Sequence, residues 1–80
     1  MRVNIEIYLK DGILDPQAKT IFHALESIGF DCINSLGISK IIKLDINTND
    51  KNIALQKAEE MAKNLLANVV IENYKIELEP

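Results

Sequence analysis

The sequence predicts an α+β fold of order β-α-β-β-α-β, a four-stranded antiparallel sheet with two helices on one face in a ferredoxin-like arrangement. Three observations predict it. The chain opens on strict apolar–polar alternation, two later segments carry apolar residues at helical spacing behind Asp caps, and the remaining apolar stretches are β-rich.

In the first element Val3, Ile5, Ile7 and Leu9 face one way and Arg2, Asn4, Glu6 and Tyr8 the other. This period of two marks a strand with one buried face. Lys10-Asp11-Gly12 interrupts it. Asp15-Pro16 then reads as a helix start, because Asp at the N-cap accepts a free backbone N–H and Pro at the first helical position gives up a donor without a partner. Ala18, Ile21, Phe22, Leu25 and Ile28 recur as one apolar stripe, and Gly29 supplies the stop, for a helix of about 13 residues and about 20 Å. Residues 33–38 and 40–46 both read as strands, with Gly37 and Ser39 at a bend or bulge between them. Asn47-Thr48-Asn49-Asp50 is a turn cluster that caps a second helix over residues 53–67. Ala54, Ala58, Met61 and Leu65 form its central stripe, Glu59 and Lys63 a supporting i,i+4 pair, and Asn68 its end. Val69-Val70-Ile71 leads into a last strand in which Tyr74, Ile76 and Leu78 alternate with Lys75, Glu77 and Glu79. With no repeat, linker or low-complexity segment, residues 1–80 are expected to form a single domain.

A chain of 80 residues buries only about 60% of the surface its unfolded form exposes, so its stability needs support from elsewhere. One cysteine, Cys32, excludes an internal disulfide, and one cysteine with one histidine cannot complete a structural zinc site. Self-association is the remaining source of buried area, and a homodimer or dimer of dimers is expected. A formal net charge of −3 argues against nucleic acid or an anionic membrane as the main partner. No apolar run approaches the ~20 residues of a membrane span. The opening residues lack a signal-peptide apolar core, so the cytoplasm is the expected location.

The second helix carries more apolar surface than one sheet face requires. Leu55, Ala62 and Leu66 lie about 100° around the axis from its central stripe, widening the apolar arc to about 140°. Tyr8 and Ile41 add apolar surface on the sheet face opposite the helices. Scattered exposed apolar residues are ordinary on any protein, whereas a concentration of them marks an interface. Tyr8, Ile41, Leu55 and Leu66 are accordingly the candidates for contacts between copies.

Catalytic chemistry finds little support. His23, the only histidine, has no Ser or Cys placed to form a triad with it and reads as solvated or partly packed. Cys32 reads as a small hydrophobe near a strand start. Glu59-Glu60 and Glu77/Glu79 read as solvated faces, and three scattered glycines make no phosphate-binding loop. Acylphosphatases and RNA-binding domains share the topology, but the only Arg is Arg2 and the aromatics are few in an acidic chain. No catalytic residue and no metal ligand is assigned. A small ACT-like regulatory module, binding a metabolite at a dimer interface near Gly12, is the alternative class.

Two segments resemble the PurS family, the small subunit of phosphoribosylformylglycinamidine synthase. One is Leu14-Asp15-Pro16-Gln17 followed by the His23-Ala24-Leu25 helix, and the other runs from Leu65-Leu66-Ala67-Asn68 through Val69-Val70-Ile71-Glu72-Asn73-Tyr74. The resemblance in spacing and length covers essentially the whole chain. It implies a non-catalytic subunit that bridges a glutaminase (PurQ-type) and a large ATP-dependent synthetase (PurL-type) in purine biosynthesis. Such a subunit assists passage of ammonia to formylglycinamide ribonucleotide. ATP, Mg²⁺ and glutamine are implied for the complex, and no cofactor for this chain. The matched positions Asp15, Gln17, Lys40, Glu72 and Tyr74 become candidates for contacts with those partners. One departure stands out: where the family carries V-R-x-G-K, this chain has Leu36-Gly37-Ile38-Ser39-Lys40, so the arginine and glycine are absent and flexibility is expected at Gly37.

Overall fold

Val3, Ile5 and Ile7 are at most 2% exposed, and the strand that carries them, β1 (Arg2–Leu9), lies at the centre of the sheet. The structure is a computed structural model that describes residues 1–79. Beside β1 run β2 (Ser39–Asp45) and β3 (Glu72–Leu78), both antiparallel to it, in the order β2-β1-β3. The register places Ile5 opposite Ile42 and Ile76, and Val3 opposite Leu44 and Leu78, so alternation in all three strands sends apolar residues to the same face. Helix α1 spans Pro16–Ser27 and helix α2 Lys51–Met61, the latter continuing into one wide π-helical turn, Ala62–Leu66.

Both helices start as their capping chemistry predicts. Asp15 Oδ1 accepts from the backbone N–H groups of Gln17 (3.0 Å) and Ala18 (3.2 Å), with Pro16 at the first position. Asp50 Oδ1 does the same for Asn52 (2.9 Å) and Ile53 (3.3 Å). Gly29, at φ +106°, takes the left-handed conformation that ends α1, where a side chain would be strained.

The α+β class and the antiparallel sheet stand, but three finer expectations do not. The sheet has three strands rather than four, because residues 33–38 carry no strand. Their apolar positions, Ile33, Leu36 and Ile38, change spacing from three to two, so no single face can be buried. Nor do two helices share one face. The core consists of Val3, Ile5 and Ile7 from β1 with Ala54, Ala58, Ala62 and Ala67, and no residue of α1 belongs to it. Helix α1 instead lies beyond the end of β1, where Ala18 and Phe22 border a groove with Leu9, Leu36 and Ile38. Finally, the buried stripe of the second helix is Ala54, Ala58 and Ala62, all at 0% exposure, while Met61 and Leu65 are 39% and 83% exposed. The π turn, closed by the Ala67 N–H on the Ala62 carbonyl at 2.9 Å, adds a residue to the last turn and rotates Leu65 outward. The expected Glu59–Lys63 pair is not among the ion pairs of the described residues. The ion pair on this helix is Lys57–Glu60 at 3.8 Å, and Glu59 instead accepts the Tyr74 hydroxyl at 2.6 Å.

Cys32 is exposed rather than packed, since the strand expected to shelter it does not form. The chain is correspondingly extended, with dimensions of 49 × 28 × 14 Å and a radius of gyration of 16.1 Å. A compact chain of this length has a radius near 12 Å. Its accessible surface is 6081 Å². A monomer of this mass exposes about 4,900 Å².

Enlarging the alanine stripe is expected to push α2 off the sheet. Ala58→Leu should lower stability by about 1–3 kcal/mol in urea unfolding, whereas Leu65→Ala, on the exposed side, should change it little. The hydroxyl bond between Tyr74 and Glu59 carries a pH signature. The hydrogen bond to the Glu59 carboxylate, then desolvation and the carboxylate's charge, raise the Tyr74 pKa above its ordinary value near 10. Its contribution is therefore complete below pH 10 and lost as pH rises through the raised value. Tyr74→Phe should remove that alkaline component, seen as a stability difference from the parent chain that vanishes at high pH.

Candidate functional site

The end of the sheet where β1 finishes gathers most of the residues singled out in the sequence. Asp15, Gln17, Lys40 and Glu72 all border one open cleft of about 450 Å³, together with Tyr8 and Leu14. Residues more than 50 positions apart meet there because β1, β2 and β3 all have an end at this edge, with Leu9 opposite Glu72 and Tyr8 opposite Ser39. The loop from β1 into α1 then brings Asp15 and Gln17 alongside.

Each wall is held by local chemistry. Asp15 is half-buried, with one carboxylate oxygen committed to capping α1. Glu72 Oε1 accepts the Asn68 backbone N–H at 2.7 Å, and Asn68 Oδ1 accepts the Val70 N–H at 3.2 Å. The Ile71 and Glu72 N–H groups both donate to the Asn68 carbonyl, at 3.0 and 2.7 Å. The Lys10 N–H reaches the Ile71 carbonyl at 2.9 Å and so ties this loop to the end of β1. Asn68 and Glu72 thus build a rigid turn that leaves Val70 78% exposed at its tip. Lys40 is exposed and makes none of the ion pairs found among the described residues.

Tyr74, the fifth partner candidate, is not in the cleft. It lies opposite Ile7 on the helix-facing side and donates to Glu59, which links β3 to α2. The four residues expected at contacts between copies are dispersed. Tyr8 is in the cleft, Ile41 is 57% exposed on the opposite sheet face, and Leu55 and Leu66 are half-buried, with Leu66 packed on the core. Sequence reasoning missed the apolar residues that stand out most, Leu14 (69%), Ile28 (70%), Leu65 and Val70. A signal for Leu14 and Val70 was present, since both sit in loops inside the motifs, where burial has no reason to place an apolar side chain.

The site offers surface rather than acid–base chemistry. His23 is exposed, 3.3 Å from Glu26 Oε1 on the same helix and edge-on to Phe22. Among the described residues no three His, Cys, Asp or Glu side chains cluster as metal ligands, and no helix is long and apolar enough to cross a membrane.

Gly37 borders the groove next to the cleft. It has no left-handed φ, so the expected backbone freedom is not used, and a Cβ added there meets nothing within 4 Å. Gly37→Ala should therefore raise stability by about 0.4–1 kcal/mol in thermal or urea unfolding, and Gly37→Arg should fold without loss.

The family model described as "PurS: Phosphoribosylformylglycinamidine (FGAM) synthase" matches residues 2–80. The phosphoribosylformylglycinamidine synthase subunit PurS of Bacillus subtilis (strain 168) is 36% identical over 78 residues, covering 98% of this chain and 92% of that one. The crystal structure of Methanocaldococcus jannaschii PurS, one of the subunits of formylglycinamide ribonucleotide amidotransferase in the purine biosynthetic pathway, matches with a TM-score of 0.88 at 35% identity, covering 98% of this chain and 94% of that one. A chain in the structure of PurLQS from Thermotoga maritima has the same fold, with a TM-score of 0.89 at 23% identity over 98% of this chain and 95% of that one. Matched along nearly its full length by the family model and by relatives above 30% identity, the chain belongs to the PurS family of phosphoribosylformylglycinamidine synthase subunits.

Proposed function

We propose that this chain is the small, non-catalytic subunit of a phosphoribosylformylglycinamidine synthase complex in purine biosynthesis. It bridges a PurQ-type glutaminase and a PurL-type ATP-dependent synthetase, and it assists transfer of ammonia to formylglycinamide ribonucleotide. The observation that carries this reading is family membership along residues 2–80, combined with convergence of the motif residues Asp15, Gln17, Lys40 and Glu72 on one cleft. A bridge needs shaped surfaces more than a nucleophile, and this chain spends its motif residues on holding two loops rigid around an open cleft. The PurLQS structure of Thermotoga maritima supports the assembly with those two partners. ATP, Mg²⁺ and glutamine are then used by the complex, the chain itself carries no cofactor, and the setting is the cytoplasm.

The chain acts as a single domain over residues 1–80 and as a homo-oligomer, a dimer or dimer of dimers. Its surface, about 1,200 Å² above that of a compact monomer, supports self-association, since a standard interface takes about 800 Å² from each partner.

Removing the chain from the reconstituted complex should abolish glutamine-dependent synthesis while sparing much of the ammonia-dependent reaction. Equal loss of both would make it a stabiliser of the synthetase instead. Lys40→Glu should weaken recovery of the two larger subunits with this chain about tenfold or more, the effect of losing about 1.4 kcal/mol at an interface.

A further inference from the structure

At the end of the sheet opposite the cleft, the Met1 ammonium is held by the turn that follows β2. It donates to the Ile46 carbonyl at 2.8 Å and the Thr48 carbonyl at 3.1 Å, and to Asp45 Oδ1 at 3.3 Å. An ammonium has three N–H donors, and three acceptors meet it here. The strand ladder runs on through the same residue, since the Ile46 N–H donates to the Met1 carbonyl at 2.8 Å. Met1 and Ile46 are both half-buried and pack on the core. A line of hydrogen bonds leads from this contact into α2. The Thr48 N–H donates to the Ile46 carbonyl at 2.7 Å, and Thr48 Oγ1 accepts the Asp50 N–H at 3.1 Å. Asp50 in turn caps the helix through Asn52 and Ile53.

We propose that the Asp45–Thr48 turn is a binding site for a primary ammonium group, filled by Met1, and that acylation of this amine releases the turn and the start of α2. The site reads both charge and donor number. Hydrogen bonds with a charged partner are about twice as strong as neutral ones, and only a primary ammonium offers one N–H to each of the three acceptors. Acyl transfer from a thioester forms a carbon–nitrogen bond at Met1 and breaks the carbon–sulfur bond. The ammonium gives one proton to the departing thiolate and one to solvent. A neutral amide with a single N–H remains, so two of the three acceptors lose their donor and Asp45 loses its counter-charge. The Ile46 and Thr48 carbonyls are on half-buried residues, where an acceptor without a donor is costly. Because Thr48 links the ammonium to the Asp50 cap, the loosening reaches the first turn of α2, whereas the cleft at the far end of β1 keeps its own hydrogen bonds.

The test compares two forms of the full chain made by chemical synthesis, one with a free amino group at Met1 and one acetylated there, by hydrogen exchange at single amides. Acetylation is expected to speed exchange at Ile46, Thr48 and Asp50 about tenfold or more. The Lys10 amide, bonded to Ile71 at the far end of the sheet, should change little. Equal rates in the two forms at Ile46 and Thr48 would overturn the proposal, and so would an equal acceleration at Lys10, which marks general destabilisation. Asp45→Asn gives a second readout. In the free-amine chain it should speed exchange at Ile46 and Thr48 about threefold, and in the acetylated chain it should add nothing, because the ammonium it faces is gone. The same acceleration in both forms would show Asp45 acting without the ammonium and would sink the assignment.

Discussion

Three alanines decide how this molecule is put together. Ala54, Ala58 and Ala62 are spaced four residues apart on the second helix, and with no side chain beyond Cβ they let it settle against Val3, Ile5 and Ile7 of the central strand. Close contact over a narrow stripe gives good packing, but it covers little breadth. One slim helix cannot shield three strands, so the β2 side of the sheet stays open and its apolar residues are only half-buried. The surface excess, the extended shape and the first helix standing clear of the sheet all follow from that narrow contact.

Residues that mark the family have local structural duties here, and those duties explain their positions. Asp15 caps the first helix, Asn68 closes a turn through its side chain and carbonyl, and Glu72 accepts the Asn68 N–H. The same residues border or support the cleft. A binding surface assembled from loops is useful only if those loops are already ordered, because ordering them on contact costs affinity. Capping and turn chemistry meet that requirement without a large core. The exposed tip at Val70 is the clearest consequence, an apolar side chain held in water by a hydrogen-bonded turn.

A small subunit that contributes surfaces rather than reactive groups is consistent with what this chain lacks room for. Among the described residues burial, which shifts pKa values and activates nucleophiles, is confined to aliphatic residues, and no polar or charged residue is buried. The titrating groups with raised pKa values, Tyr74 and Lys75, owe them chiefly to hydrogen bonds with carboxylate neighbours, Glu59 and Glu77. Such pairs organise a surface.

Much was legible in the sequence because it depends on local rules. Alternation in residues 2–9 defined the central strand, Asp15-Pro16 and Asp50 defined both helix starts, and Gly29 the first stop, since these effects act within a few residues of the chain. The remaining features needed the tertiary structure. Residues 33–38 are β-rich in composition, but pairing depends on docking against an edge of β2 or β3 formed elsewhere in the chain, and neither edge takes them up. The π turn over Ala62–Leu66 alters helical phase by one residue and turns Leu65 outward, which no 3.6-residue periodicity can foresee. The convergence of Asp15, Gln17, Lys40 and Glu72 was decided by strand register, a non-local quantity, and so was the separation of Tyr74 from them. The sequence alone determined which residues prefer which local conformation and that apolar surface would exceed the needs of one small core. Only the tertiary structure decided where that surplus lies, because burial is settled between segments rather than within them.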